Sequence, residues 1–399
     1  MSQAVALWGR VKMDPLELLI GAVVGAAAGH YYGQVVDAVA SLSARLTNRP
    51  APAISAVASS LIAYYEESKS LYQFPLGDGH RVTVPFLSPA SIEMGKMPPA
   101  PFSDLISLDP SLVVPSLKKK YVGKRIAEGK RLFDEPALFF DGFNVGASSL
   151  EVKAGVCSYL DCAETMFRFE DEAYRNSRRD VKTSWTLRSE HLRDSDALSM
   201  GMAVPVTIGV GVVIAIDGRQ GPEVLLHLRS SETSTHGGAI GVLPYFGLWP
   251  LVTEEHTRLP LLFGCLLSEY GEELFGNVEL EERLSSRRID PLWFRNLTYV
   301  RELEEAIAGG LVRCSVIGYG ADALNGSATL AIELRVCDPD TAERLFEASG
   351  GNWEVSSGSS WDSGLFKVPL WSPTIDAWVR EHRFNFGSAF AIGRLREIS

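Results

Sequence analysis

Four glycines, Gly21, Gly25, Gly29 and Gly33, recur at intervals of four inside an uncharged apolar run, Leu18 to Val36. Nineteen residues at about 1.5 Å of helical rise span roughly 28 Å, close to the hydrocarbon thickness of a bilayer. Residues four apart share a helix face, so the glycines form one smooth stripe where a second helix backbone can approach closely. In lipid, helices associate through such packing, because hydrocarbon tails solvate apolar side chains as well as protein does. The spacing predicts a transmembrane helix over residues 18–40, behind a tail of residues 1–17, packed through its glycines into a homo-oligomer. Two other readings stay open. One is a buried helix of a water-soluble domain, in which each glycine costs about 1 kcal/mol against alanine. The other is a secretory signal, for which Ala26, Ala27 and Ala28 supply small residues, although Asp14 and Glu17 sit where a signal carries positive charge.

No second membrane helix is read after residue 40, which places the remainder on one side of the membrane. Arg10 and Lys12 precede the run and Arg45 and Arg49 follow it, a near tie by the positive-inside rule. Translation from Met13 would remove the first pair and favour a cytoplasmic carboxyl-terminal portion. A net charge of −11 disfavours attraction to phosphate backbones and argues against a DNA or RNA duplex as partner. The five cysteines are odd in number and hold no Cys-x-x-Cys pair. They read as ordinary reduced thiols, not as a zinc site or a disulfide framework.

Residues 41–53 read as a linker, with its Pro-rich part at Thr47 to Pro52, and Ile54 to Tyr72 as a helix. Eight prolines between Pro75 and Pro115 imply loops and short strands. A basic run from Lys118 to Arg131 reads first as a solvated helix face, with anionic headgroups or a phosphorylated ligand as the other reading. Residues 54–200 are therefore a mixed, Pro-rich region, ending in a second basic cluster at Arg175, Arg178, Arg179 and Lys182. Character changes near Ala203. Val204 to Asp217, Glu223 to Arg229, Leu311 to Gly318 and Thr329 to Cys337 read as strands, two of them hairpin-connected. Leu261 to Phe275, stopped by Gly276, Glu302 to Ala308, Asp338 to Ala348 and Thr374 to His382 read as helices. The expected fold of residues 201–399 is α/β, a mixed sheet covered by helices.

Glu269, Glu272 and Glu273 share one face of the Leu261–Phe275 helix. Like charges at these spacings cost about 0.2–0.5 kcal/mol per pair, and acids in the last turns oppose the macrodipole by roughly 0.3–1 kcal/mol each. A cation offsets both penalties. Mg²⁺ suits such carboxylates, and ion pairs with Arg283, Arg287 or Arg288 are the other solution. His227, His236 and His256 fall on different elements and suggest no shared metal.

The segment Ser268 to Gly276 resembles the signature of the Nudix superfamily, whose box reads Arg-Glu-apolar-x-Glu-Glu-x-Gly-apolar. Glu269, Glu272 and Glu273 match its metal-binding glutamates, and Gly238, Pro244 and Gly247 suit the approach to the box. Ser268 stands in place of the box arginine, and Phe275 in place of its glycine, with Gly276 one position late. Loss of the arginine removes the rigid donor that orients the acids, which favours nucleotide binding over hydrolysis. An amino-terminal membrane helix followed by a divergent Nudix-like domain resembles the membrane-anchored Nudix-like effectors of bacterial cyclic-oligonucleotide antiphage defence. That resemblance implies a single-pass protein of the bacterial inner membrane, with its carboxyl-terminal domain in the cytoplasm. It further implies that a cyclic oligonucleotide or other nucleotide drives assembly and membrane damage. Arg229, Trp249, Arg175, Arg178 and Arg179 are the candidate ligand contacts, and Tyr245 and Trp293 are further aromatics able to stack on a base. The alternative is a membrane-tethered Nudix-type pyrophosphatase acting with Mg²⁺ on a nucleoside diphosphate derivative.

Overall fold

Nine consecutive buried residues, Ile208 to Ile216, form the spine of the molecule. A β-branched, apolar run without alternation is what a strand covered on both faces requires. The structure, a computed structural model, describes residues 54–68, 70–89, 105–109, 111–114, 117–130, 132–146, 149–178, 184–194, 197–230, 238–250, 260–276, 292–346, 349 and 365–399. The glycine-striped segment 18–40 with Gly21, Gly25, Gly29 and Gly33, the linker, and Arg179 lie outside the described residues. Among the described residues no helix is long and apolar enough to cross a membrane.

Helix α1 (Ile54–Tyr65) leads into the hairpin of β1 (Leu71–Pro75) and β2 (Arg81–Leu87). Then come β3 (Ile106–Leu108), α2 (Lys120–Ala127), β4 (Pro136–Val145), β5 (Leu150–Ser158) and α3 (Tyr159–Asn176). The short helices α4 (Thr186–His191) and α5 (Ala197–Met200) precede β6 (Ile208–Gly218) and β7 (Gly221–Leu228). After β8 (Ile240–Val242) and β9 (Tyr245–Gly247) the chain forms α6 (Leu261–Phe275) and α7 (Thr298–Ala308). It ends with β10 (Val312–Asp322), β11 (Ala328–Val336), α8 (Pro339–Phe346), β12 (Leu365–Pro369), α9 (Pro373–Arg380) and α10 (Phe386–Ile398).

The fold is α/β. A main sheet runs β1-β2-β10-β11-β6-β7-β12, with β8 added to β7 and β9 to β6, and a smaller sheet runs β3-β5-β4. β11 lies parallel to β6, in register from Ala328 opposite Ile208 to Val336 opposite Ile216, while the β6–β7 and β10–β11 hairpins are antiparallel. Helix α10 packs against β1, β2, β6, β10 and β11. One continuous apolar core reaches from Val57 to Leu395.

The strands and helices expected after residue 203 are present with small shifts at their ends. Gly276 stops α6 in the left-handed conformation (φ 64°), its N–H donating to the Glu272 carbonyl, as a helix-terminating glycine does. The helix expected over 54–72 is shorter. It ends at Tyr65, passes through a 3₁₀ turn at Glu66–Ser68 and becomes β1, because Leu71 to Pro75 pair with β2. Phe86 and Leu87 pair in turn with Asp322 and Ala321, so the early hairpin is an outer part of the same sheet as β6.

Part of the basic run is docked, while Lys118, Lys120 and Lys124 remain exposed. Lys119 contacts Asp161, Arg125 meets Glu170 at 2.5 Å, and Lys124 lies 3.7 Å from Asp171, all acids of α3. Glu164, also on α3, accepts from the N–H groups of Tyr121 (2.8 Å) and Val122 (3.0 Å). Those donors have no partner within α2, so a neighbouring helix supplies its cap.

Candidate functional site

His227 of β7 and Arg229, one residue past its end, are two residues apart in extended chain, hence on one face of the sheet. His227 is fully buried, and among the described residues neither ring nitrogen has a hydrogen-bond partner. Burial, aided by the charge of Arg229, drives its pKa well below the ordinary range, so the imidazole is neutral. Opposite it in register stands Gly241 of β8. A Cβ there would lie 2.6 Å from His227 Nε2 and 3.2 Å from Asn385 Nδ2, so the space a side chain needs is taken by these two polar groups.

Asn385 caps α10. Its Oδ1 accepts from Ser388 N–H at 2.6 Å, its own N–H donates to the Ile240 carbonyl at 3.0 Å, and its buried Nδ2 has no partner among the described residues. Ser388 Oγ accepts from Val242 N–H at 3.0 Å. The first turn of α10 is thereby stitched to β8.

Tyr245 of β9, reached through a cis Leu243–Pro244 bond, occupies the middle. The Arg229 guanidinium stands over its ring at 5.6 Å, a cation–π distance. Its hydroxyl lies where a Cβ on Gly387 would come within 2.3 Å, and a Cβ on Gly211 would lie 3.1 Å from the ring edge. Glycine at 387 is thus a condition for seating the phenol. Burial and the charge of Asp322 push the phenol up to about 12, against a hydrogen bond with Thr329 and the charge of Arg229.

The expected residues divide. Arg229 and Glu273 are brought together around Tyr245: the Tyr245 N–H donates to both carboxylate oxygens of buried Glu273, at 3.1 Å each. Glu269 and Glu272 lie half-buried on the same helix. Among the described residues, no three of His, Cys, Asp and Glu come together as a metal-holding group. Glu273 already accepts from backbone, while Glu269 and Glu272, on the same helix, are the more exposed acids of the three. Trp249 is half-buried against the core, and its carbonyl accepts from Cys265 Sγ at 3.4 Å. Arg175 pairs with Asp171 one turn back at 2.7 Å, and Arg178 sits in the turn that ends α3.

Asn385 and Gly387 were not visible in the sequence. The signal that could have located them is an Asn three residues before Ser388, ahead of an apolar stretch. The assembled set offers a fixed cation, an aromatic face, an amide donor, a neutral imidazole able to donate and accept, and the positive end of a helix. It suits a ligand that is planar in one part and anionic in another. Comparison of the chain with protein-family models and with curated proteins returns no match.

Proposed function

We propose that this protein senses a nucleotide, binding it without hydrolysis at the Arg229–Tyr245 centre of a Nudix-like domain spanning residues 201–399. One observation carries the reading. His227 and Asn385 bury ring and amide nitrogens without partners among the described residues, beside a cation stacked on an aromatic ring. Each unsatisfied buried polar group costs about 1–3 kcal/mol, and a ligand that hydrogen-bonds them removes that cost. The engagement of Glu273 by backbone supports binding over hydrolysis. The order of a β6–β7 hairpin, glycine-rich short strands, a glutamate-bearing helix and a β10–β11 hairpin supports the Nudix-like reading. The membrane part of the proposal rests on the glycine stripe of residues 18–40: a cytoplasmic domain occupied by a cyclic oligonucleotide drives assembly of the inner-membrane helix.

Calorimetry of the detergent-solubilised full chain against cyclic di- and trinucleotides tests this. The expected result is tight binding of at least one, its recovery unchanged, and loss of at least about tenfold in affinity in Arg229→Met. Binding of none of them defeats the sensor reading. Mg²⁺-dependent release of a nucleoside monophosphate, abolished by Glu269→Gln or Glu272→Gln, replaces it with the pyrophosphatase.

A further inference from the structure

We propose that Cys157 and Cys162 form a peroxide-sensitive dithiol site at the start of α3, closing reversibly to a disulfide. Their sulfurs stand 3.3 Å apart, Cys157 at the last turnout of β5 and Cys162 in the first turn of the helix. A disulfide bond measures roughly 2.0 Å, so closure asks for a shift of about 1 Å at a junction between strand and helix. The two thiols are unequal in the way the chemistry needs. Cys157 is partly exposed and Cys162 buried. Cys157 immediately precedes Ser158, the residue that caps α3 through Leu160 N–H, so it sits at the positive end of an 18-residue helix. The hydrogen bond from Cys162 lowers the Cys157 pKa and raises that of Cys162, and burial raises Cys162 further. Of the charges nearby, Lys119 favours the Cys157 thiolate and Asp161 opposes it. Cys157 is the attacking sulfur and Cys162 the resolving one.

The oxidant is hydrogen peroxide. The Cys157 thiolate attacks one peroxide oxygen; the S–O bond forms, the O–O bond breaks, and the departing hydroxide takes a proton to become water. Cys157 is now a sulfenic acid and the peroxide is reduced. The Cys162 sulfur then attacks the Cys157 sulfur. An S–S bond forms, the S–O bond breaks, and the proton lost by Cys162 leaves with that hydroxide as a second water. A dithiol reductant reverses the change.

The other cysteines are placed for none of this. Cys265 and Cys314 are buried, with burial pushing the first up to about 12 and the second well above its ordinary range. Cys337 Sγ faces the Gly310 carbonyl at 3.8 Å.

Trypsin frees both cysteines in one peptide, Ala154 to Arg168, which has no internal Lys or Arg. The full chain is treated with hydrogen peroxide, alkylated and digested. The expected product is this peptide lighter by two hydrogens and without alkyl groups, returning to the doubly alkylated form after dithiothreitol. Before oxidation, Cys157 should alkylate at least about tenfold faster than Cys314. In Cys162→Ser the reaction should stop at a sulfenic acid on Cys157, trapped by dimedone, whereas Cys157→Ser should trap nothing at Cys162. If a serine variant fails to fold, as judged by circular dichroism, the wild-type mass shift alone decides. The site is overturned if both cysteines stay alkylatable at peroxide doses that oxidise free cysteine, or if wild-type Cys157 proceeds to sulfinic acid without forming the bond.

Discussion

His227 opposes the stability of the fold it sits in. Its two nitrogens are buried without partners among the described residues, so His227→Leu, similar in size and free of polar atoms, is expected to raise the melting temperature while weakening nucleotide binding by at least about tenfold. Thermal melts and calorimetry on one preparation check this; loss of stability together with loss of binding would mark a merely structural histidine. A pH dependence follows. The native imidazole titrates well below its ordinary value, whereas the unfolded one titrates near about 6.5. Below that value the unfolded chain binds a proton that the native chain does not, so stability falls as pH drops from about 6.5 toward the native pKa, by up to about 1.4 kcal/mol per pH unit. Urea melts from pH 7.5 to 5 should show the fall in wild type and a flatter limb in His227→Leu. The strand holding His227 and leading to Arg229 was legible from its alternation. The partners Asn385 and Gly387 were not, because a cap and a close approach depend on what another element brings to them.

Among the helices, α3 escaped the sequence reading for a physical reason. Its buried residues include Asp161, Glu164, Glu170 and Glu172, so no apolar stripe announces which side faces inward. Their partners lie elsewhere: Lys119, the N–H groups of α2, Arg125 and Arg188. The basic run was legible, but the acids it answers to were not. Arg188, fully buried on α4, donates to Glu172 at 2.7 Å and to the carbonyls of Phe169, Ala323 and Leu324, tying α3 and α4 to the turn between β10 and β11. Arg188→Leu is expected to cost about 3–5 kcal/mol, because it leaves the Glu172 carboxylate buried beside orphaned carbonyls. Adding Glu172→Leu should recover part of that loss, a coupling that a double-mutant cycle in urea reads directly. Glu164→Ala should cost about 1–2 kcal/mol and speed amide exchange at Tyr121 and Val122; unchanged exchange at those two positions would show that α2 needs no outside cap.

For the molecule as a whole, the glycine stripe and the sheet make separate demands. Gly25→Leu combined with Gly29→Leu should leave membrane insertion intact and abolish higher oligomers, since bulk on a close helix contact removes packing that lipid does not replace. Crosslinking in membranes, with and without ligand, checks it; full oligomers from the double variant, or wild-type protein recovered in the soluble fraction, would sink the stripe as an assembly surface. The α/β class was legible because the strands after residue 203 carry their own apolar signal. The pairing of β6 with β11 was not, since a parallel register between distant segments leaves no mark in either one. That pairing also sets an order of events during synthesis. β6 leaves the ribosome with apolar side chains on both faces, and its parallel neighbour begins only at Ala328. Helix α10 emerges later still. A nascent chain therefore carries Arg229 and Tyr245 well before Asn385 exists to stand beside them, and under the proposed nucleotide-binding function an unfinished copy would lack the complete site until α10 has been translated.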